Sequence, residues 1–205
     1  TDALTVEAGT ELTITISLDI AAGGYLKIDD ILVTKASDTE IQAAKKVKAE
    51  ELQMNPFTKI GKEWMLITAG NEEKCNTMTA SWGGVGIMWG KNAVTTYIRP
   101  QRYTKEFVDA NDTFTISFFD ESYRKALNIC GSVSGRDKDK IKEAGLTPYF
   151  VDGTAAFEEA NLILVCKKMY HGDILPENFE DETIDTKWYP QKDYHTMYIA
   201  EIQKV

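Results

Sequence analysis

Hydroxyl side chains recur at Thr77, Thr79 and Ser81, Trp82 follows, and Gly83, Gly84 and Gly86 come next. Hydroxyls, backbone N–H groups left bare by glycine and guanidinium forks are the groups that hold an anion, and an indole beside them can cover a planar ring. The cations come farther along. Arg99-Pro-Gln-Arg-Tyr-Thr104 sets two arginines in one turn, and Ser134-Gly-Arg-Asp-Lys-Asp-Lys140 closes a small-residue loop with a third arginine and two lysines. Each run has a plainer reading when taken alone. Alternating hydroxyls are also a strand surface, Pro100 between cations is also a solvated turn, and Ser134-Gly-Arg136 is also a helix entry. Together they make a richer set of anion donors than a purely structural domain needs.

Composition narrows the partners. The chain has 205 residues, enough for one domain and an appendage, and a net charge of −9. That balance argues against a general nucleic-acid or anionic-membrane surface, so a bound phosphate must be met by local cations. No apolar run approaches the ~18 residues of a membrane span, and no signal-peptide pattern is visible. The cysteines, Cys75, Cys130 and Cys166, are odd in number and lack a C-x-x-C pair, which argues against a disulfide framework or a zinc site. His171 and His195 fit neither H-E-x-x-H nor H-x-H spacing. The glycine patterns of Rossmann and P-loop sites and the G-x-S-x-G of hydrolases are missing too.

The elements that must position these residues read mainly as strands. Residues 1–36 carry a period-2 strand (Leu12, Ile14, Ile16, Leu18), a Gly23-Gly24 turn and a second strand through Val33. Two strands cannot stand alone in water, so this N-terminal two-stranded β appendage must pack on the main domain, pair with another chain or be the end of a longer domain. The run GGYLKIDDILVT resembles the last strand of jelly-roll modules attached to secreted carbohydrate-active proteins. A linker is expected near 35–40 and a helix over 38–54, ended by Asn55-Pro56. Strands follow at Trp64–Thr68, Ala93–Ile98, Phe114–Phe119, Leu162–Met169 and Tyr194–Ile202. Short helices are expected at 104–110 with Thr104 as cap, from Ser122 through Cys130, and over 137–144 closed by Gly145. Residues 171–193 read as a long acidic loop. Short helices inserted between strands predict a β-barrel with helical connections, not alternating βαβ units.

The runs NTMTASWGGVGIMW, IRPQRYT, FTISFF and CGSVSGRDKDKIKEAGLTP, with GKEWMLITAG before them and YHTMYIAEIQKV at the end, resemble the flavin reductase-like, FMN-binding split-barrel family. That family includes flavoredoxins and NAD(P)H:flavin oxidoreductases. The resemblance covers about residues 50–205, within a domain drawn from 37 to 205, and residues 1–36 lie outside it. It implies a Greek-key-like split β-barrel, usually a homodimer, with FMN near the subunit interface. By position, Asn76, Thr77, Met78, Thr79, Ala80, Ser81 and Trp82 match the family's loop around the flavin and its ribityl chain. Arg99 with Gln101, Arg102, Tyr103 and Thr104 match phosphate-side contacts, and Ser134, Gly135, Arg136 and Lys140 match a second flavin-side run. His195 matches a histidine on the family's last strand, close to the site.

The resemblance implies hydride transfer from NAD(P)H through FMN to flavin or another acceptor. The chemistry then belongs to the cofactor, and no obligate catalytic acid is expected. His195 or His171 could donate a proton, and either reads equally well as a structural histidine. A flavoredoxin-type electron carrier acting with a redox partner protein needs the same cradle. The compartment stays open: the family's plain domains are mostly cytoplasmic, whereas the N-terminal strands look like those of an exported protein.

Overall fold

The computed structural model describes residues 46–205. The N-terminal strands, the appendage, the linker and the 36/37 boundary lie outside the described residues. So does the first half of the helix expected over 38–54. Its second half is not an α-helix: one 3-10 turn, Ala49–Glu51, stands in a stretch with no other regular element. Its apolar residues serve instead to pack Ala49 and Leu52 against the main core.

Nine strands follow. They are β1 (Met65–Gly70), β2 (Cys75–Ala80), β3 (Gly83–Met88), β4 (Lys91–Ile98), β5 (Thr113–Phe118), β6 (Pro148–Val151), β7 (Thr154–Phe157), β8 (Leu162–Asp173) and β9 (Thr196–Lys204). The helices are α1 (Pro56–Thr58), which runs on into a wider π turn at Lys59–Glu63, α2 (Tyr103–Ala110), α3 (Arg124–Ser132), α4 (Lys140–Glu143) and α5 (Glu182–Trp188). Seven strands form one antiparallel sheet in the order β2-β1-β5-β8-β9-β4-β3, and β6 and β7 form a separate hairpin.

This order forces the sheet to curl. β2 and β3 lie at opposite edges, yet only Ser81 and Trp82 join them. Laid flat, seven strands at ~4.8 Å spacing would hold those edges about 29 Å apart. Three Cα–Cα steps of ~3.8 Å reach about 11 Å at most. The edges do meet: a Cβ on Gly83 would lie 3.2 Å from Met65 Cε and 2.7 Å from the Thr95 carbonyl. Gly83 is therefore required by a close approach. With Gly84 and Gly86 it belongs to strand β3, not to an anion-binding loop.

Two cores follow from strand alternation. Met65, Ile67 and Ala69 of β1 join Met78, Val94, Ile98, Phe114, Ile116, Tyr198 and Ala200 in the larger core. Leu66 joins Ala126, Leu127, Cys130, Ile141 and Phe157 in the smaller core beneath α3 and α4. All six residues of β1 are buried, as expected of a central strand covered on both faces.

Most strands lie where the sequence placed them, and four expectations change. Of the run Asn76 to Trp82, matched to a loop, all but Ser81 and Trp82 lie in strand β2. Thr104 does not cap α2: Arg102 is the N-cap, and the Thr104 hydroxyl accepts from Asn76 Nδ2 at 2.8 Å. Ser122 lies in a 3-10 turn before α3, with Tyr123 as the cap. The acidic loop is partly ordered, with β8 running to Asp173 and α5 capped by Asp181, which accepts from Thr183 N. At α4 the Asp139 side chain accepts from Lys142 N, and Gly145 takes the positive φ of 70° that ends the helix.

Candidate functional site

The turn after β4 divides the candidate residues into two groups. Arg102, Tyr103 and Thr104 belong with the start of β2 and the α3–α4 connection. Asn76 is 4% exposed and ties β2 to Thr104. Gly135 approaches it so closely that a Cβ would lie 2.0 Å from Asn76 Oδ1. Arg136 donates to the Gln101 carbonyl at 3.1 Å, pairs with Glu106 and lies 4.6 Å over the Tyr103 ring. Ser134 Oγ accepts from Arg136 N at 3.2 Å, which shapes the loop. Asn76, Gly135, Arg136 and Lys140 line an open groove of about 890 Å³, bordered also by Cys75, Leu146 and Phe150. Small-molecule sites commonly occupy ~300–1,000 Å³.

Lys140 is the buried cation of this groove, whose lining also carries Glu72, Glu73, Asp137 and Asp139 beside Lys74, Arg136, Lys138 and Lys142. It is 4% exposed, and its Nζ donates to the Cys130 and Val133 carbonyls, each at 3.1 Å. An ammonium carries three N–H groups, and among the described residues no carboxylate pairs with it. Its charged neighbour is Arg102, whose guanidinium donates to the Gly131 carbonyl at 2.8 Å. Burial, reinforced by the Arg102 charge, pulls the Lys140 pKa down to about 8, and burial also lowers that of Arg102. A buried and a half-buried cation, with no carboxylate pairing Lys140 among the described residues, make a place where an anion relieves repulsion.

The second group surrounds Trp82. His195 lies 5.0 Å from the Trp82 ring, and Trp188 at the end of α5 meets Trp82 edge-on at 5.1 Å. The Tyr189 hydroxyl and His195 Nδ1 are 2.9 Å apart. Arg99 pairs with Asp193 at 2.6 Å, donates to the Trp188 carbonyl at 2.9 Å and lies over the Tyr189 ring. Gln101 donates to Asp193 Oδ2 at 2.6 Å. Arg99 and Gln101 thus hold the β8–β9 connection in place. Burial, the Arg99 charge and an opposing pull from Asp193 leave the His195 pKa at about 4, so the imidazole is neutral at physiological pH.

The remaining β2 residues are committed inside the protein. Thr77 Oγ1 shares a hydrogen bond with Thr68 Oγ1 at 2.8 Å and donates to the Ile67 carbonyl. Thr79 Oγ1 donates to the Leu127 carbonyl of α3. Met78 is in the larger core, and Ala80 packs against it. The hydroxyls that first suggested an anion cradle at Thr77 and Thr79 therefore have internal acceptors. Ser81 links β2 to Trp82. Because β2 pairs only with β1, its outer backbone edge is unused by the sheet.

The fold has known counterparts. The flavin reductase-like domain family matches residues 57–205. The chain belongs to that family. Among solved structures, an FMN-binding domain of a flavin reductase-like enzyme from Shewanella baltica matches with TM-score 0.56 and 17% identity, over 78% of this chain and 74% of that one. A flavoredoxin of Desulfovibrio vulgaris matches with TM-score 0.53 and 21% identity, over 68% and 66%. An FMN-binding protein from Thermus thermophilus, with 1-cyclohex-2-enone bound, matches with TM-score 0.53 and 18% identity, over 68% and 67%. At these identities the likeness speaks for the split-barrel fold. No curated protein matches the chain.

Sequence reasoning missed Trp188, Tyr189 and Asp193, which build the surroundings of His195. The available signal was aromatic density: Trp188, Tyr189 and Tyr194 crowd the end of a segment otherwise read as an acidic loop. The cysteines are free, and burial raises the Cys75 thiol pKa and lifts that of Cys130 to about 11. None is poised as a thiolate nucleophile. Among the described residues no group of three or more His, Cys, Asp or Glu side chains could hold a metal ion, and no helix is long and apolar enough to cross a membrane.

Proposed function

We propose that this protein binds FMN and transfers a hydride from NAD(P)H through it to flavin or another acceptor. The observation that carries the reading is Lys140, a buried cation on a groove of small-molecule size, with the half-buried Arg102 as its charged neighbour and no carboxylate partner among the described residues. A phosphate dianion fits that donor set. Lys140 and Arg102 would hold the phosphate. Asn76, Gly135, Arg136 and Tyr103 would border it, the free edge of β2 would offer backbone donors and acceptors, and Trp82 with His195 would lie toward the ring. FMN when bound supplies the hydride chemistry, and the protein positions the ring, shields it from water and sets the local charge.

A homodimer is part of this reading. Ile87 and Met88 of the edge strand β3, Trp89 in the turn after it, and Tyr170 of β8, whose ring lies 6.4 Å from that of Trp89, are exposed apolar groups beside the open edge of β3. Such an edge is normally covered. The electron-carrier reading finds support in Trp188, which packs at a steep angle to Trp82 and would compete with a nicotinamide for a ring placed there. Stopped-flow mixing of FMN-loaded protein with NADH and with NADPH separates the two. Bleaching of the flavin at roughly 1 per second or faster supports the oxidoreductase, and no bleaching with either nucleotide leaves the carrier.

A further inference from the structure

Tyr189 is 2% exposed, and its hydroxyl has one hydrogen-bond partner among the described residues, His195 Nδ1 at 2.9 Å. Two arrangements are open to a neutral imidazole. If Nδ1 carried the proton it would donate to the phenol oxygen, and the phenol proton would be left buried without an acceptor. If Nδ1 is bare it accepts the phenol proton, and both groups are satisfied. Folded proteins keep buried donors paired, so the second arrangement holds and the ring proton sits on Nε2. That nitrogen has no hydrogen-bond partner among the described residues. The buried side-chain polar atoms left unpartnered there are Thr96 Oγ1 and Ser117 Oγ alone, so Nε2 is within reach of solvent.

We propose that Tyr189 is a positioning residue that fixes His195 as the Nε2–H tautomer, so that an N–H donor, not a lone pair, is offered beside Trp82. The groups facing the ring agree with a neutral imidazole: Arg99 disfavours the imidazolium, and Asp193, which favours it, is paired with Arg99 and accepts a hydrogen bond from Gln101. The ligand chemistry follows. A planar ligand placed against Trp82 is recognised there through a hydrogen-bond acceptor, such as a carbonyl oxygen or a bare ring nitrogen, and a ligand presenting only a donor is disfavoured. The tautomer rests on geometry alone, and its use on a ligand rests on the function proposed above.

Imidazole 15N NMR tests the tautomer without any flavin, so its failure is separate from failure of the flavin reading. The sequence has two histidines, and His171→Gln in the full-length chain leaves the His195 signals alone. At neutral pH the expected spectrum shows a protonated Nε2 and a bare Nδ1. Tyr189→Phe is expected to turn this single tautomer into a mixture, with the amide spectrum of the fold retained. A protonated Nδ1 in the unsubstituted protein overturns the proposal, and so does a Tyr189→Phe protein that keeps the pure Nε2–H form. Should Tyr189→Phe fail to fold, the spectrum with Tyr189 in place still decides.

Discussion

Lys140→Met removes a buried charge while keeping side-chain length, and its consequences can be worked from the groove. With a pKa of about 8 in the unliganded protein, Lys140 is nearly all charged at pH 7 and about one-tenth charged at pH 9. If the charged form is the one that meets a phosphate, binding at pH 9 must first restore the proton. Affinity for FMN then falls about tenfold between pH 7 and pH 9, about 1.4 kcal/mol. The substitution removes a charge-assisted hydrogen bond and weakens FMN by about 1.5–3 kcal/mol at pH 7. It also abolishes the Lys140 contribution to the pH slope.

Stability changes in the opposite sense. The folded-state pKa lies below the unfolded value of 10.5, so the unfolded chain holds more protons between about pH 8 and 10.5. The cost of burying the charge is fully present below pH 8 and is relieved as pH rises through that window. Flavin-fluorescence titrations at pH 7, 8 and 9, with riboflavin as the control lacking a phosphate, measure the binding effects. Riboflavin is expected to ignore the substitution. Equal FMN affinity and equal pH slope in the two proteins would refute the phosphate assignment.

Three further perturbations separate scaffold from site. Thr77→Val leaves Thr68 Oγ1 without its partner between β1 and β2 and is expected to cost about 1–3 kcal/mol in urea unfolding. FMN affinity should change by less than about threefold, or about 0.7 kcal/mol, and a large loss of binding with unchanged stability would return Thr77 to the ligand. Gly135→Ala drives a Cβ to 2.0 Å from Asn76 Oδ1. It should lower both stability, by about 1–3 kcal/mol, and FMN affinity, whereas thermal melts and titrations matching the parent protein would show that the α3–α4 loop yields freely. Ile87→Glu places a carboxylate on a side chain that is 70% exposed at the β3 edge. The proposed homodimer predicts that the parent protein sediments as a dimer and the variant as a monomer, with the melting temperature of the isolated chain little changed, and a persisting dimer would move the interface elsewhere.

The sequence showed the barrel more clearly than the site, for a physical reason. Strands such as Phe114–Phe118 announce themselves by local alternation, and the split-barrel runs are contiguous, so pattern and resemblance agree. The closure of the sheet was not local. It depends on β2 and β3 reaching opposite edges across two residues, which turns an apparent glycine-rich cradle into an edge strand packed on Met65. The hydroxyls of Thr77 and Thr79 misled in the same way: their acceptors, Thr68 with the Ile67 carbonyl and the Leu127 carbonyl, lie 9–10 and 48 residues away.

Arg99 and Lys140 invert the ranking that side-chain type suggests. The guanidinium fork is the better phosphate ligand in principle, but Asp193 and the Trp188 carbonyl, about 90 residues on, already occupy it. The plainer ammonium is left with a free donor and a cationic neighbour. What marks the proposed anion site is an unbalanced buried charge, and balance is a property of three-dimensional neighbours that no spacing along the chain encodes. The same holds for His195, whose tautomer depends on a tyrosine six residues earlier in a segment that reads as loop. Nothing in the identity of Tyr189 announces that role; it comes from the burial that leaves its hydroxyl a single acceptor.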